Sequence, residues 1–280
     1  MRLRTFTMLV GAILILTSAA TAGSSSEDEF VADYLKRLEK KHTTRLTWLS
    51  AHFTFNRINR DNDYNKFANY ESLYMTDGAF PWLGDGKSFG LDFGIVFAKR
   101  FAWMLGGEYW LKMGTTLDGT YYYTPSGTYV ENPSSEVRLM GASTGIQYYL
   151  FNAPKKEGRS NKLSVRVGAG VGFYQVKWDL WEEYQDLNLS TDVSDAGTAT
   201  FMDTSPGFTV NLGIDYPTKI WDIVLGIDMS VMYLNFDNVA WYNTQEQEIV
   251  ATWTGDADGR VDLEFTGIRG KVELKHFFVW

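Results

Sequence analysis

Residues 163–173 read LSVRVGAGVGF. Leu163, Val165, Val167, Ala169, Val171 and Phe173 occupy the odd positions, and Ser164, Arg166, Gly168, Gly170 and Gly172 the even ones. Successive side chains of a strand point to opposite faces, so this alternation reads as a strand with one apolar face and one face that is small or charged. The glycine rhythm at 168, 170 and 172 is that of a nucleotide loop only superficially. A phosphate loop needs the N-terminus of a following helix, and none follows here.

The pattern recurs outward from this stretch. Phe89, Leu91, Phe93, Ile95 and Phe97 oppose Ser88, Gly90, Asp92 and Gly94. Phe208, Val210, Leu212, Ile214 and Tyr216 oppose Thr209, Asn211, Gly213 and Asp215, and Ile223, Leu225, Ile227, Met229, Val231 and Tyr233 oppose Gly226, Asp228 and Ser230. Eight strands are predicted, at about 46–57, 88–99, 101–113, 136–151, 162–177, 207–217, 222–236 and 262–280. Most are about ten residues or longer, where strands of soluble proteins average about five or six. Crossing a bilayer at a tilt takes about 9–11 residues. A soluble sandwich also alternates, but the connections discriminate. Short links follow strands 2, 4 and 6, and links of roughly twenty residues or more (58–87, 114–135, 178–206, 237–261) follow the others, as in an even-stranded transmembrane barrel with both termini on the periplasmic side.

Composition narrows the function classes. The chain has 280 residues, 45% apolar and 16% aromatic, with 26 Gly, 6 Pro and no Cys. A formal charge of −8 argues against a nucleic-acid partner. Without cysteine there is no disulfide framework or thiolate site, and three histidines, His42, His52 and His276, leave little for a zinc centre.

The N-terminus reads as an address. Arg2 and Arg4 precede an apolar run from Phe6 to Leu16, and Ala20-Thr21-Ala22 is a small-x-small cleavage pattern, so 1–22 is expected to be a cleaved signal peptide. Residues 23–45 are expected to form a periplasmic helical extension: Ser26 with Glu29 makes a capping box, and Phe30, Val31, Tyr34, Leu35 and Leu38 recur at helical spacing. The barrel is assigned to 46–280.

At the other end Val272, Leu274, His276, Phe278 and Trp280 alternate on one face. A last strand of this kind resembles the assembly signal of outer-membrane barrels, although Trp280 stands where that family commonly has Phe and His276 is an unusual member of an apolar face. With the architecture, it makes 46–280 similar to the small eight-stranded barrels of the opacity, OmpA and OmpW kind. The resemblance implies an outer-membrane location, contact with outer-membrane lipids and lipopolysaccharide, and partnership with insertion machinery and periplasmic chaperones during assembly. It implies no cofactor.

Parity places Asp92, Glu108, Asp215, Asp228 and Glu273 inside the barrel with Lys112, Arg166, Arg269, Lys271 and Lys275. An eight-stranded barrel is filled by its own side chains, and buried charges persist when paired. A closed lumen of balanced ion pairs is therefore expected. Barrel enzymes that modify lipids use a histidine with a serine and a carboxylate. Ser50 and His52 share a face here, but no acid lies beside them in sequence, and a structural histidine is the simpler reading. The acids Asp179, Glu182, Glu183, Asp186, Asp192, Asp195 and Asp203, and Asp256 with Asp258, could hold calcium. A solvated acidic surface explains them as well, and no metal site is assigned. The expected role is a closed envelope scaffold with surface-exposed interaction loops. The alternatives are a narrow conduit for small hydrophobic molecules, as the OmpW resemblance implies, and, less favoured, a lipid-modifying enzyme.

Overall fold

The computed structural model describes residues 46–279 except 61, 74, 76–78, 99, 118–120, 124–128, 155–161, 186–193, 219–222, 244–246 and 250–258. The expected signal peptide, the 23–45 helix and Trp280 lie outside the described residues, as do Asp186, Asp192, Asp256 and Asp258.

Eight long strands form the wall: β1 Leu46–Ile58, β2 Asp85–Ala98, β3 Phe101–Trp110, β4 Tyr129–Phe151, β5 Ser164–Gln185, β6 Ser194–Pro217, β7 Ile223–Val239 and β8 Gly267–Val279. Each pairs antiparallel with the next in sequence, and Leu46 opposite Val279 closes β1 on β8. The result is an up-and-down ring of eight strands without a free edge in the wall. We call the end where Leu46 meets Val279 the terminal end and the opposite one the loop end.

Several expected boundaries move. The middle strands are longer than predicted, at 23, 22 and 24 residues for β4, β5 and β6. Pairing continues to Tyr129 opposite Gln185 and Gln185 opposite Ser194, so much of 114–135 and 178–206 is sheet rising beyond the ring and not loop. Short strands at Met113–Thr116 and Tyr121–Tyr123 add to β4, and Trp241–Asn243 adds to β6. Gly114 is required at its bend: its φ is +101°, and a Cβ there would lie 2.0 Å from the Ser135 carbonyl oxygen. The last strand is interrupted at 265–266, leaving Val261–Glu264 paired to β7. The 58–87 connection contains a helix, α1, Asp63–Ser72. Asn62 caps it by accepting from the Asn65 backbone N–H at 3.0 Å, and Asp63 stands in its first turn.

Along one strand the polarity of the two faces inverts. On β5 the outward residues Val165, Val167, Ala169, Val171 and Phe173 give way to Gln175, Lys177 and Asp179. The inward residues run from Ser164 and Arg166 through three glycines to buried Tyr174, Val176, Trp178 and Leu180. Outward Phe55 is likewise followed by Arg57, Tyr233 by Asn235, and Phe89 is preceded by Lys87. Between the steps and the terminal end lies an exposed apolar belt, edged by Phe55, Phe89, Tyr109, Phe173, Phe208 and Tyr233 above and by Phe97, Phe101, Phe151 and Tyr216 below. From Phe208 to Tyr216 a strand tilted by about 40° climbs about 20 Å, near the height of a barrel's lipid-facing band.

Candidate functional site

The lumen is the site where chemistry could occur, and two layers fill it. The layer toward the terminal end is ionic. Arg166, fully buried on β5, donates from Nε to Asp215 Oδ1 at 3.1 Å and from Nη2 to Asp228 Oδ2 at 2.8 Å, and it also pairs with Glu273. Lys275 Nζ stands 2.9 Å from Asp215 and 2.8 Å from Glu273. Lys271 Nζ reaches Asp92 at 3.1 Å, Glu273 at 3.4 Å and Asp228 at 3.5 Å. Nearer the loop end Arg269 pairs with Glu108 and donates from Nε to Asn56 Oδ1 at 2.7 Å. Five strands, β2, β5, β6, β7 and β8, therefore share the network of Arg166, Lys271 and Lys275, in a region where these side chains are largely buried and a charge is tolerated only with its partners in place.

Small inward residues make the room. A Cβ on Gly226 would come within 2.4 Å of the Glu273 side chain, one on Gly213 within 1.8 Å of Asp228, and one on Gly94 within 2.1 Å of Trp48. The glycines thus accept the long side chains of facing strands.

Parity misplaced one residue. Lys112 is not in the lumen: β3 ends at Trp110, Leu111 and Lys112 are both exposed, and Lys112 pairs with Glu136 beyond the belt. Glu136 also meets Arg138 Nη2 at 3.0 Å. Partial burial acts to raise the Glu136 carboxyl, but the two cations outweigh it and hold it below its usual range. Of the residues assigned to the lumen by parity, five acids and four Lys or Arg side chains are then found there among the described residues, and His52 lies beside them with Nδ1 3.1 Å from Asp92 Oδ2. The register that puts Ser50 opposite Asp92 on β2 brings the two together, which sequence adjacency could not reveal. Ser50 turns elsewhere, with its Oγ 3.5 Å from Glu273 Oε2, so Ser50 and His52 address different carboxylates.

The second layer is apolar. Trp110, Val137, Leu139, Val176, Trp178, Phe201, Leu234, Phe236 and Phe265 point into the loop end of the barrel and are buried there. Helix α1 closes over them. Tyr64 and Phe67 lie 5.1 and 5.2 Å from the Trp178 ring, and Phe67 lies 5.4 Å from Phe80. Asn65 ties the following segment down, accepting from the Leu83 N–H at 2.7 Å and donating to the Leu83 carbonyl at 3.2 Å. Burial pushes the Tyr64 hydroxyl above its usual pKa. Between the layers a polar cavity of about 60 Å³, lined by His52, Asp92, Glu108, Tyr174, Asn211 and Arg269 among others, has room for no more than a few waters.

The terminal-strand residues divide as a belt requires. Val272 and Leu274 are exposed on the outer face, as is His276, whose ring stacks with Phe278 at 6.3 Å. Among the described residues no group of three His, Asp or Glu has metal-holding geometry.

No family model and no curated protein matches the chain. Solved structures align over most of it. OprG from Pseudomonas aeruginosa matches at 10% identity and TM-score 0.45, covering 84% of this chain and 96% of that one. A major outer membrane protein from Thermus thermophilus matches at 14% and 0.42, covering 83% and 99%. Neisserial surface protein A matches at 13% and 0.36, covering 84% and 97%. The closed ring of eight strands and its apolar belt decide the fold. The chain is an eight-stranded antiparallel β-barrel with an apolar outer belt. Its lumen is divided into an ionic layer and an apolar layer.

Proposed function

We propose that the protein is an integral outer-membrane scaffold, closed to solutes, with its loop end at the cell surface and both termini in the periplasm. What supports this reading is the filling of the lumen by Arg166 among three carboxylates and the packing of α1 over Trp178. The ionic layer puts buried charges across the bore, which disfavours a conduit for hydrophobic molecules. The β4–β5–β6 sheet that rises beyond the belt supplies the interaction surface. Lipids, lipopolysaccharide and the assembly machinery are its partners in this reading, and it carries out no catalysis.

Planar-bilayer recording of the purified barrel tests closure: no stable conductance is expected, and an open channel of porin-like size overturns the scaffold. Uptake of a hydrophobic dye into liposomes that contain the protein, above the rate of empty liposomes, would favour the conduit.

A further inference from the structure

On the outer wall, where the belt ends toward the loops, β1, β2 and β8 border a groove of about 830 Å³ beneath the 81–83 segment. Phe55, Leu111 and Ile268 provide an apolar floor, and each is exposed. Beside them Gly270 stands opposite Phe55 in the register. A Cβ built on Gly270 would meet nothing within 4 Å, unlike one on the inward glycines described above. The position faces outward in the row Ile268, Val272, Leu274. No packing requires a glycine there, and the missing side chain leaves a dent in the belt.

The rim of the same groove is cationic. Arg57 lies opposite Ile268 and Asp85, and Lys87 lies opposite Phe55. Both cations are exposed, and neither forms an ion pair with a described residue. Lys112 closes a third side while paired to Glu136. The lining thus has three cations and one acid, Asp85, immediately beyond the edge of the apolar floor.

A cationic rim above an apolar dent, at the level where a barrel meets lipid headgroups, matches an anionic amphiphile. A guanidinium with an adjacent ammonium suits a phosphate best. We infer that the groove holds one phosphorylated lipid, its headgroup on Arg57 and Lys87 and an acyl chain in the dent over Gly270. The inference rests on the membrane location proposed above, because the lipid must come from the bilayer beside the belt.

Native mass spectrometry of the full chain purified in detergent tests it, with bis-phosphorylated lipid A, its dephosphorylated form and inorganic phosphate as probes. One retained lipid A per barrel is expected. Gly270→Leu, and separately the pair Arg57→Gln with Lys87→Gln, should each weaken retention at least tenfold, while Lys177→Gln on the far wall leaves it unchanged. Dephosphorylated lipid should be retained at least tenfold less. A heat-modifiable gel shift verifies that each variant is folded, and the two variants probe the dent and the rim independently. Equal retention by wild type and both variants, equal retention of the dephosphorylated lipid, or inorganic phosphate held as firmly as the lipid overturns the site. Cell fractionation tests the location separately, so either failure can be recognised without the other.

Discussion

Arg166 shows what a single buried residue does in a lumen of this width. Its guanidinium is the common partner of Asp215, Asp228 and Glu273, and no other cation touches all three as closely. Arg166→Gln leaves those carboxylates short of one positive charge in a site closed to water. A loss of about 3–5 kcal/mol is expected, read as an earlier urea-unfolding midpoint in detergent. Arg166→Lys should recover only part of it, because one ammonium cannot reproduce a fork that reaches three acids. The inward direction of Arg166, Asp215 and Asp228 is legible in their strands, since each lies in an unbroken alternation. Lys112 and His52 show the limit of that reading. Parity stops carrying information where a strand ends, and β3 ends two residues before Lys112. The pairing of His52 with Asp92 depends on which strand lies beside β1, a fact about register that no local pattern contains.

At the scale of the element, the polarity step along β5 is a physical boundary. Outward Val171 lies within the belt and outward Gln175 beyond it, four residues apart on one face. Val171→Arg should cost about 2–4 kcal/mol in lipid, whereas Gln175→Arg should stay within about 0.5 kcal/mol, as for ordinary surface changes. Refolding into vesicles with denaturant titration measures both, and equal costs would place the boundary elsewhere. Helix α1 permits a second test. Phe67 is buried against Trp178 and Phe80, and Phe67→Ala should cost about 3–5 kcal/mol. Asn62→Ala removes only the cap and should cost about 1 kcal/mol. The signals for α1 are present in the sequence: Asn62 before an acidic first turn, and Tyr64, Phe67 and Ala68 at i, i+3 and i+4. Ten residues are too few for helical periodicity to stand out in a connection otherwise read as loop.

For the whole molecule, the proposed orientation, with the loop end at the cell surface, makes a direct prediction. An epitope inserted near Gly127 should be labelled on intact cells and one after Pro154 should not; labelling at the Pro154 site overturns this orientation. The same closed ring explains why the lumen cannot be read as charges alone. Its loop half is a hydrophobic core continuous with α1 and the segment around Phe80, so a chain that presents apolar residues outward in the belt also buries apolar residues inward above it.

Alternation, strand length and the rhythm of the connections were enough, from the sequence alone, to indicate an antiparallel eight-stranded barrel, because a period of two follows from strand geometry and alternating short and long links join neighbouring strands in order. The inward ionic residues within strands were legible for the same reason. The tertiary structure alone decided which charges meet, how far β4, β5 and β6 extend, that α1 closes the loop end, and that Gly270 leaves a dent beneath Arg57 and Lys87. Each of these depends on residues far apart in the chain being brought together by register and ring closure, and side-chain alternation along a single strand holds no record of its neighbours.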